Sequence, residues 1–148
     1  MTGCYPRRIG FGDFDGDWVL FPGQGIGLHS DETTMAGMLS DAGYKTRIVG
    51  KWHCGDQPEF LPTNRGFDGY YGIPYSNDMG RQVDRERADL PPLPLLRDTV
   101  VVDEQFDQAS VTARYVEDAV TFIRSNAGNP FFLYFAHMYV HLPIYVQD

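Results

Sequence analysis

Apolar positions along this chain recur with two periods, and each period predicts an element. Across residues 32–42, Met35, Met38, Leu39 and Ala42 fall on one helical face. Ser30 and Asp31 stand where such a helix is capped, and Gly43 stands where it ends. Lys45 to Gly50 reads as a short strand centred on Ile48 and Val49. A second helix is predicted from Gln108 to Ser125, capped by Asp107, with Val111, Tyr115, Ala119, Phe122 and Ile123 at helical spacing. After the turn Asn126-Ala127-Gly128-Asn129-Pro130, the unbroken apolar run Phe131 to Ala136 predicts a strand buried on both faces, as in a parallel sheet. Residues 51–99 are rich in proline, glycine and aromatics without sustained periodicity, which predicts a long structured surface excursion. Thr99 to Asp103 closes it as a short strand, and the Gly- and Pro-rich residues 1–30 read as loop. The order helix, strand, excursion, helix, strand fits a layered α/β fold.

Composition narrows the function classes. The 148 residues, 43% hydrophobic and 14% aromatic, suffice for one domain with a core. Twelve basic against 20 acidic residues give a net charge of -8, which argues against nucleic acid as a partner. A small anion stays open, since it needs only a local positive cluster. Two cysteines, Cys4 and Cys54, are too few for a disulfide framework. No run has the length of a membrane span, and no secretory signal is visible. Both ends are expected to be internal to a longer chain, with exposed sheet edges that would weaken the 148 residues on their own.

The chemistry concentrates in two stretches, each behind a predicted strand. In Gly50-Lys51-Trp52-His53-Cys54-Gly55, extended backbone would put Lys51 and His53 on one side and Trp52 in the packing. A lysine and a histidine aimed at one spot suit a tetrahedral anion. The second stretch is Ala136-His137-Met138-Tyr139-Val140-His141-Leu142-Pro143. If both strands belong to one parallel sheet, a histidine from this loop joins Lys51 and His53 at the edge where open α/β sheets bind ligands. It could protonate a leaving oxygen there. Taken singly, each of these residues also reads as a solvated loop side chain.

At these residues the sequence resembles the sulfatase family, within the alkaline-phosphatase-like superfamily. Gly50-Lys51-Trp52-His53 followed by Gly55 is similar to the family's G-K-W-H-L-G motif. Phe60-Leu61-Pro62, Gly66-Phe67-Asp68 and Gly72-Ile73-Pro74-Tyr75-Ser76-Asn77-Asp78 resemble the segment that follows it in arylsulfatases. Pro130-Phe131-Phe132-Leu133-Tyr134 with His141-Leu142-Pro143 resembles the family's strand and H-x-P motif, and Thr2-Gly3, Tyr5-Pro6, Arg8 and Gly10 its T-G-x-Y-P-x-R-x-G stretch. The resemblance covers nearly the whole chain in order. It implies a three-layer α/β/α domain, incomplete at both ends, with residues 1–148 as part of a sulfatase catalytic domain. It implies that Lys51 binds the sulfate group, that His53 orients the nucleophile, that His141 helps protonate the leaving alcohol, and that Ser76 is a polar supporting position. The implied nucleophile is a formylglycine hydrate beside a Ca2+ ion, with the acidic calcium ligands outside this chain. The implied substrate is a small-molecule or glycan sulfate ester, and the implied location of the whole protein is outside the cytoplasm.

The departures from the family pattern are instructive. Cys54 replaces the motif's leucine and reads as an apolar filler. Cys4-Tyr5-Pro6-Arg7-Arg8 satisfies C-x-P-x-R, the formylglycine pattern, but Thr2-Gly3 already precedes it, which places the true cysteine about eight residues before Met1. The acidic turn Asp13-Phe14-Asp15-Gly16-Asp17 lacks the closing Glu of an EF-hand, because Gln24 stands there. His29 has no expected role, and His137 is expected to face away from His141. Glu104, Asp107, Glu117 and Asp118 read as helix flank and solvated face, and the Arg81 to Arg87 run as exposed loop. Lys51 and His53 serve phosphate as well as sulfate, so a phosphodiesterase or phosphonate hydrolase of the same superfamily is the first alternative. A degenerate, non-catalytic binding module is the second.

Overall fold

The computed structural model of the chain describes residues 1–12, 19–81 and 90–146. The Asp13–Asp17 turn and the charge run beyond Arg81 lie outside the described residues. Helix α1 spans Met35–Asp41, strand β1 Lys45–Lys51, β2 Gly69–Ile73, β3 Pro94–Arg97, β4 Val100–Glu104, helix α2 Val111–Ser125 and β5 Phe131–Ala136. The strands form one sheet in the order β4-β3-β2-β1-β5. β1 lies between β2 and β5 and runs parallel to both, with Gly50 opposite Gly72 and Ala136. β3 and β4 add antiparallel at the far side. The sheet therefore points the carboxyl ends of β1, β2 and β5 to one edge.

Alternate residues of the central strands feed two cores, one on each face. Val49, Tyr71 and Ile73 pack with Val111, Tyr115 and Ala119 of α2. Ile48 and Tyr70 pack with Ala36 of α1, Trp52, Leu61 and Phe67. Adjacent side chains of a strand point to opposite faces, so both strands must be apolar throughout when helices cover both sides. This is the three-layer α/β/α arrangement that the resemblance implies.

Four expectations need correction. First, α1 starts later than predicted and is capped by Thr34, whose hydroxyl accepts from the Gly37 N–H at 2.9 Å and donates to the Arg65 carbonyl at 2.8 Å. Its buried residue is Ala36, while Met38 of the predicted apolar face is 56% exposed. Second, the excursion at 51–99 contains β2, a strand buried along its whole length, as well as β3. Gly-Tyr-Tyr-Gly-Ile hides from a periodicity search because a strand covered on both faces does not alternate in polarity. Third, β5 is parallel to β1 but not buried on both faces, for Tyr134 and Phe135 are exposed. Among the described residues it is an edge strand, paired with β1 alone.

Fourth, Asp118 is not on a solvated face. Its carboxylate takes both Arg47 Nε at 2.6 Å and Nη2 at 2.8 Å, and Arg97 Nη1 at 2.8 Å, with the Asp118 side chain only 9% exposed. One carboxylate of α2 thus ties β1 to β3 across the sheet. The bidentate fork suits a planar guanidinium. Asp107 caps the second helical segment as expected, accepting from the Ala109 N–H at 3.0 Å, and a 3-10 turn at Gln108–Ser110 leads into α2.

Candidate active site

Lys51, His53, Ser76 and His141 all stand on the segments that leave the carboxyl edge of β1, β2 and β5. Lys51 ends β1. The β1–β2 ladder continues beyond it, with Trp52 N–H donating to Ile73 O and His53 N–H to Pro74 O, both at 3.0 Å. Ser76 follows β2, and His137 and His141 follow β5. At the root of these loops Gly72, Gly50 and Ala136 form one row across the three strands. A Cβ on Gly50 would overlap the Ala136 carbonyl, and one on Gly72 would overlap the Gly50 carbonyl. The loops can depart here because the row has almost no side chains.

Trp52 behaves as expected. It is buried, donates its indole N–H to Phe60 O at 2.9 Å and meets Phe67 edge-on at 6.3 Å. His53 does not continue the extended backbone, for its φ is +59°. The simple same-side argument for Lys51 and His53 therefore fails. The two groups are still close enough for the Lys51 charge to act on the His53 ring.

The His53 ring is held by Nε2, 3.0 Å from Leu20 O. A carbonyl only accepts, so Nε2 carries the proton and Nδ1 keeps the lone pair of the neutral ring. Burial pushes this imidazole below its ordinary 6.5. The Leu20 carbonyl and the Asp78 carboxylate oppose that, while Lys51 and His141 reinforce it. Three charged or titratable groups from three different elements therefore act on one ring. A cavity of about 750 Å³, lined by Tyr5, Phe11, Val19, Leu20 and Trp52, opens beside His53.

His141 is exposed. Its Nδ1 lies 2.7 Å from Leu142 O, which places the proton there and leaves Nε2 free in the neutral ring. The buried Ser76 hydroxyl sits 3.5 Å from both ring nitrogens, too long and too symmetric for a strong bond to either. His137 turns elsewhere, among Tyr115, Phe135 and Tyr139 with ring centroids at 5.3 to 6.0 Å. Burial lowers its proton affinity also.

Two positions escaped sequence reasoning. Asn77, buried, donates its amide to Gln108 Oε1 and to Pro143 O, both at 3.1 Å. It ties the loop after β2 to the loop that carries His141. Asp78 next to it acts on His53, and its Oδ1 is buried with no hydrogen-bond partner among the described residues. Both stand in the Gly72–Asp78 stretch that carries the family resemblance, but as polar residues behind an apolar strand they had no expected role of their own.

The two cysteines differ. Cys54 packs against the α1-side core, and burial pushes its thiol up to about 11, which suits a filler rather than a nucleophile. Cys4 is exposed beside the four-residue 3-10 turn Pro6–Ile9. His29 is exposed against Asp31. Among the described residues, no three His, Cys, Asp or Glu side chains converge as metal ligands.

The described residues contain no helix long and apolar enough to cross a membrane. The Sulfatase family model matches residues 1–148. Human arylsulfatase G is 38% identical over 144 residues, covering 80% of this chain and 27% of the relative. Bovine arylsulfatase A is 37% identical over 159 residues, covering 97% of this chain and 31% of the relative. The chain thus spans about a quarter to a third of the length of these relatives. A crystal structure of Ps i-CgsB in complex with k-i-k-neocarrahexaose superposes with a TM-score of 0.73 at 28% identity, over 97% of this chain and 33% of that one. With this match along its whole length, and with the sheet edge arranged as described, the chain belongs to the sulfatase family.

Proposed function

We propose that residues 1–148 are part of the catalytic domain of a sulfuric ester hydrolase, most like an arylsulfatase, acting on a small-molecule or glycan sulfate ester. The observation that carries this is the gathering of Lys51, His53, Ser76 and His141 at the carboxyl edge of three parallel strands. Lys51 binds an oxygen of the sulfate group and offsets the charge that grows there as the S–O bond breaks. His141 in its protonated form donates from Nε2 to the leaving alcohol oxygen, so that the alcohol departs neutral. His53 is fixed by Leu20 O and offers Nδ1 to orient the attacking group. Ser76 supports the His141 ring. Neither nucleophile nor ion is assigned to the described residues. A formylglycine nucleophile, calcium dependence and export belong to the proposal for the whole protein. The saccharide bound by the structural neighbour supports keeping a glycan ester in the substrate class.

The test uses the intact protein that carries this chain, with 4-nitrophenyl sulfate as substrate. Lys51→Ala and His141→Ala should each lower kcat by about 100-fold or more, since each acts on charge that develops in the transition state. Near-normal turnover by both variants would defeat the assignment.

A further inference from the structure

We propose that Asn77 is a positioning residue for departure of the alcohol: it holds the His141 loop where the ring can protonate the leaving oxygen, and so sets how well the site handles esters of poor leaving groups. The inference rests on the sulfatase reading above and extends it to substrate range. His141 is exposed, and its own side-chain contacts hold it weakly. Its Nδ1 bonds to the carbonyl of Leu142, the next residue, which moves with it, and Ser76 Oγ stands 3.5 Å from the ring. The place of the ring is therefore set by the backbone that carries it.

That backbone is pinned at two points. On one side Met138 is buried in the α2-side core, and its carbonyl accepts the His141 N–H at 2.9 Å. On the other side Pro143, two residues beyond His141, is buried, and its carbonyl accepts from Asn77 Nδ2 at 3.1 Å. The same nitrogen donates to Gln108 Oε1 at 3.1 Å, just ahead of α2. A side-chain amide nitrogen carries two hydrogens, and these bonds use both. A carbonyl only accepts, so the amide cannot turn over without losing Pro143. Asn77 is 1% exposed and opens the 3-10 turn Asn77–Met79, whose Met79 is itself in the core. The turn behind β2, the segment entering α2 and the loop behind β5 thus meet on one buried amide. Between the two pins Tyr139, Val140, His141 and Leu142 are all exposed, so among the described residues their packing does not replace the hold on Pro143.

The experiment compares two substrates on the intact protein. One is 4-nitrophenyl sulfate, whose activated leaving group depends less on a proton. The other is phenyl sulfate, whose leaving phenol has a pKa of about 10, as tyrosine does, and depends on it more. Asn77→Ala should lower kcat/KM for phenyl sulfate relative to 4-nitrophenyl sulfate by about tenfold, within the range that misplacing a group active in the transition state costs. His141→Ala should lower the same ratio at least as far. The double variant should fall no further than His141→Ala, because both changes remove one proton transfer. Each readout is a ratio within one preparation, so loss of folded protein cancels. If Asn77→Ala yields no folded protein, Gln108→Met takes its place: it removes the other partner of the amide and should lower the ratio about threefold, the worth of one hydrogen bond. An unchanged ratio in the variant measured, or losses that multiply in its combination with His141→Ala, would overturn the inference and leave the sulfatase reading standing. Wild-type turnover of both esters by His141→Ala would overturn both.

Discussion

Gly50 is the position where the fold and the site are most tightly coupled, and Gly50→Ala tests that coupling. Its φ is +119°, outside the regions open to residues with a side chain. At that angle a Cβ would not stand perpendicular to the sheet but point into β5, overlapping the Ala136 carbonyl oxygen and lying 2.5 Å from its carbon. Neighbouring strands are held about 4.8 Å apart by their hydrogen bonds, so backbone on one side cannot move without breaking the ladder. Forcing the backbone angle costs about 1–3 kcal/mol. Overpacking against rigid backbone costs about 1–3 kcal/mol more. The sum, about 2–6 kcal/mol, is a large part of the 5–15 kcal/mol typical of a domain. Gly43→Ala is the control, since Gly43 also has a positive φ, +87°, but nothing lies within 4 Å of its added Cβ. Urea unfolding of the intact protein should show a much lower midpoint for Gly50→Ala than for Gly43→Ala. Turnover by the surviving folded Gly50→Ala should also fall, because Lys51 and His53 hang directly from this residue. Equal midpoints for the two variants would refute the steric reasoning.

The other predictions concern charge. Asp118→Ala should destabilise by about 2–4 kcal/mol, because it strands Arg47, whose side chain is only 16% exposed, without its partner, while Glu117→Ala on the exposed side of α2 should stay within about 0.5 kcal/mol. Thermal unfolding that ranks the two alike would remove Asp118 from its role as a tie across the sheet. His53 and His137 both have folded-state pKa values lowered from 6.5, chiefly by burial, so the folded chain binds fewer protons than the unfolded chain. Their stabilisation is therefore complete above 6.5 and is lost as pH falls through 6.5 towards the lowered values. The urea midpoint should drop on acidification in that window, and His53→Gln should flatten the slope; a slope that His53→Gln and His137→Gln both leave intact would refute it.

Much of this was legible in the chain. The α2 stripe Val111, Tyr115, Ala119 is buried as its spacing predicts, although Ile123 at its end faces outward. The strand before Lys51 and the strand before His137 were readable, and so was the turn at Gly43. The failures share a cause. β2 has no alternation to detect because both of its faces are covered. Met35 and Met38 have helical spacing, but α1 is short and meets the sheet through Ala36. Asp118 looks solvated by sequence neighbours because its partners, Arg47 and Arg97, lie on strands distant in the chain.

The sequence by itself determined the family, the layer class and the residue types available for anion chemistry, since motifs and apolar periods are local properties that survive in one dimension. Only the tertiary structure decided what those residues do to one another. It bent the backbone at His53, held that ring on Leu20 O and clamped the His141 loop through Asn77. The contacts of His53 with Leu20 O and of Asn77 with Pro143 O join segments far apart in the chain. Proton positions and charge balance depend on distances across the sheet, and no local spacing encodes them.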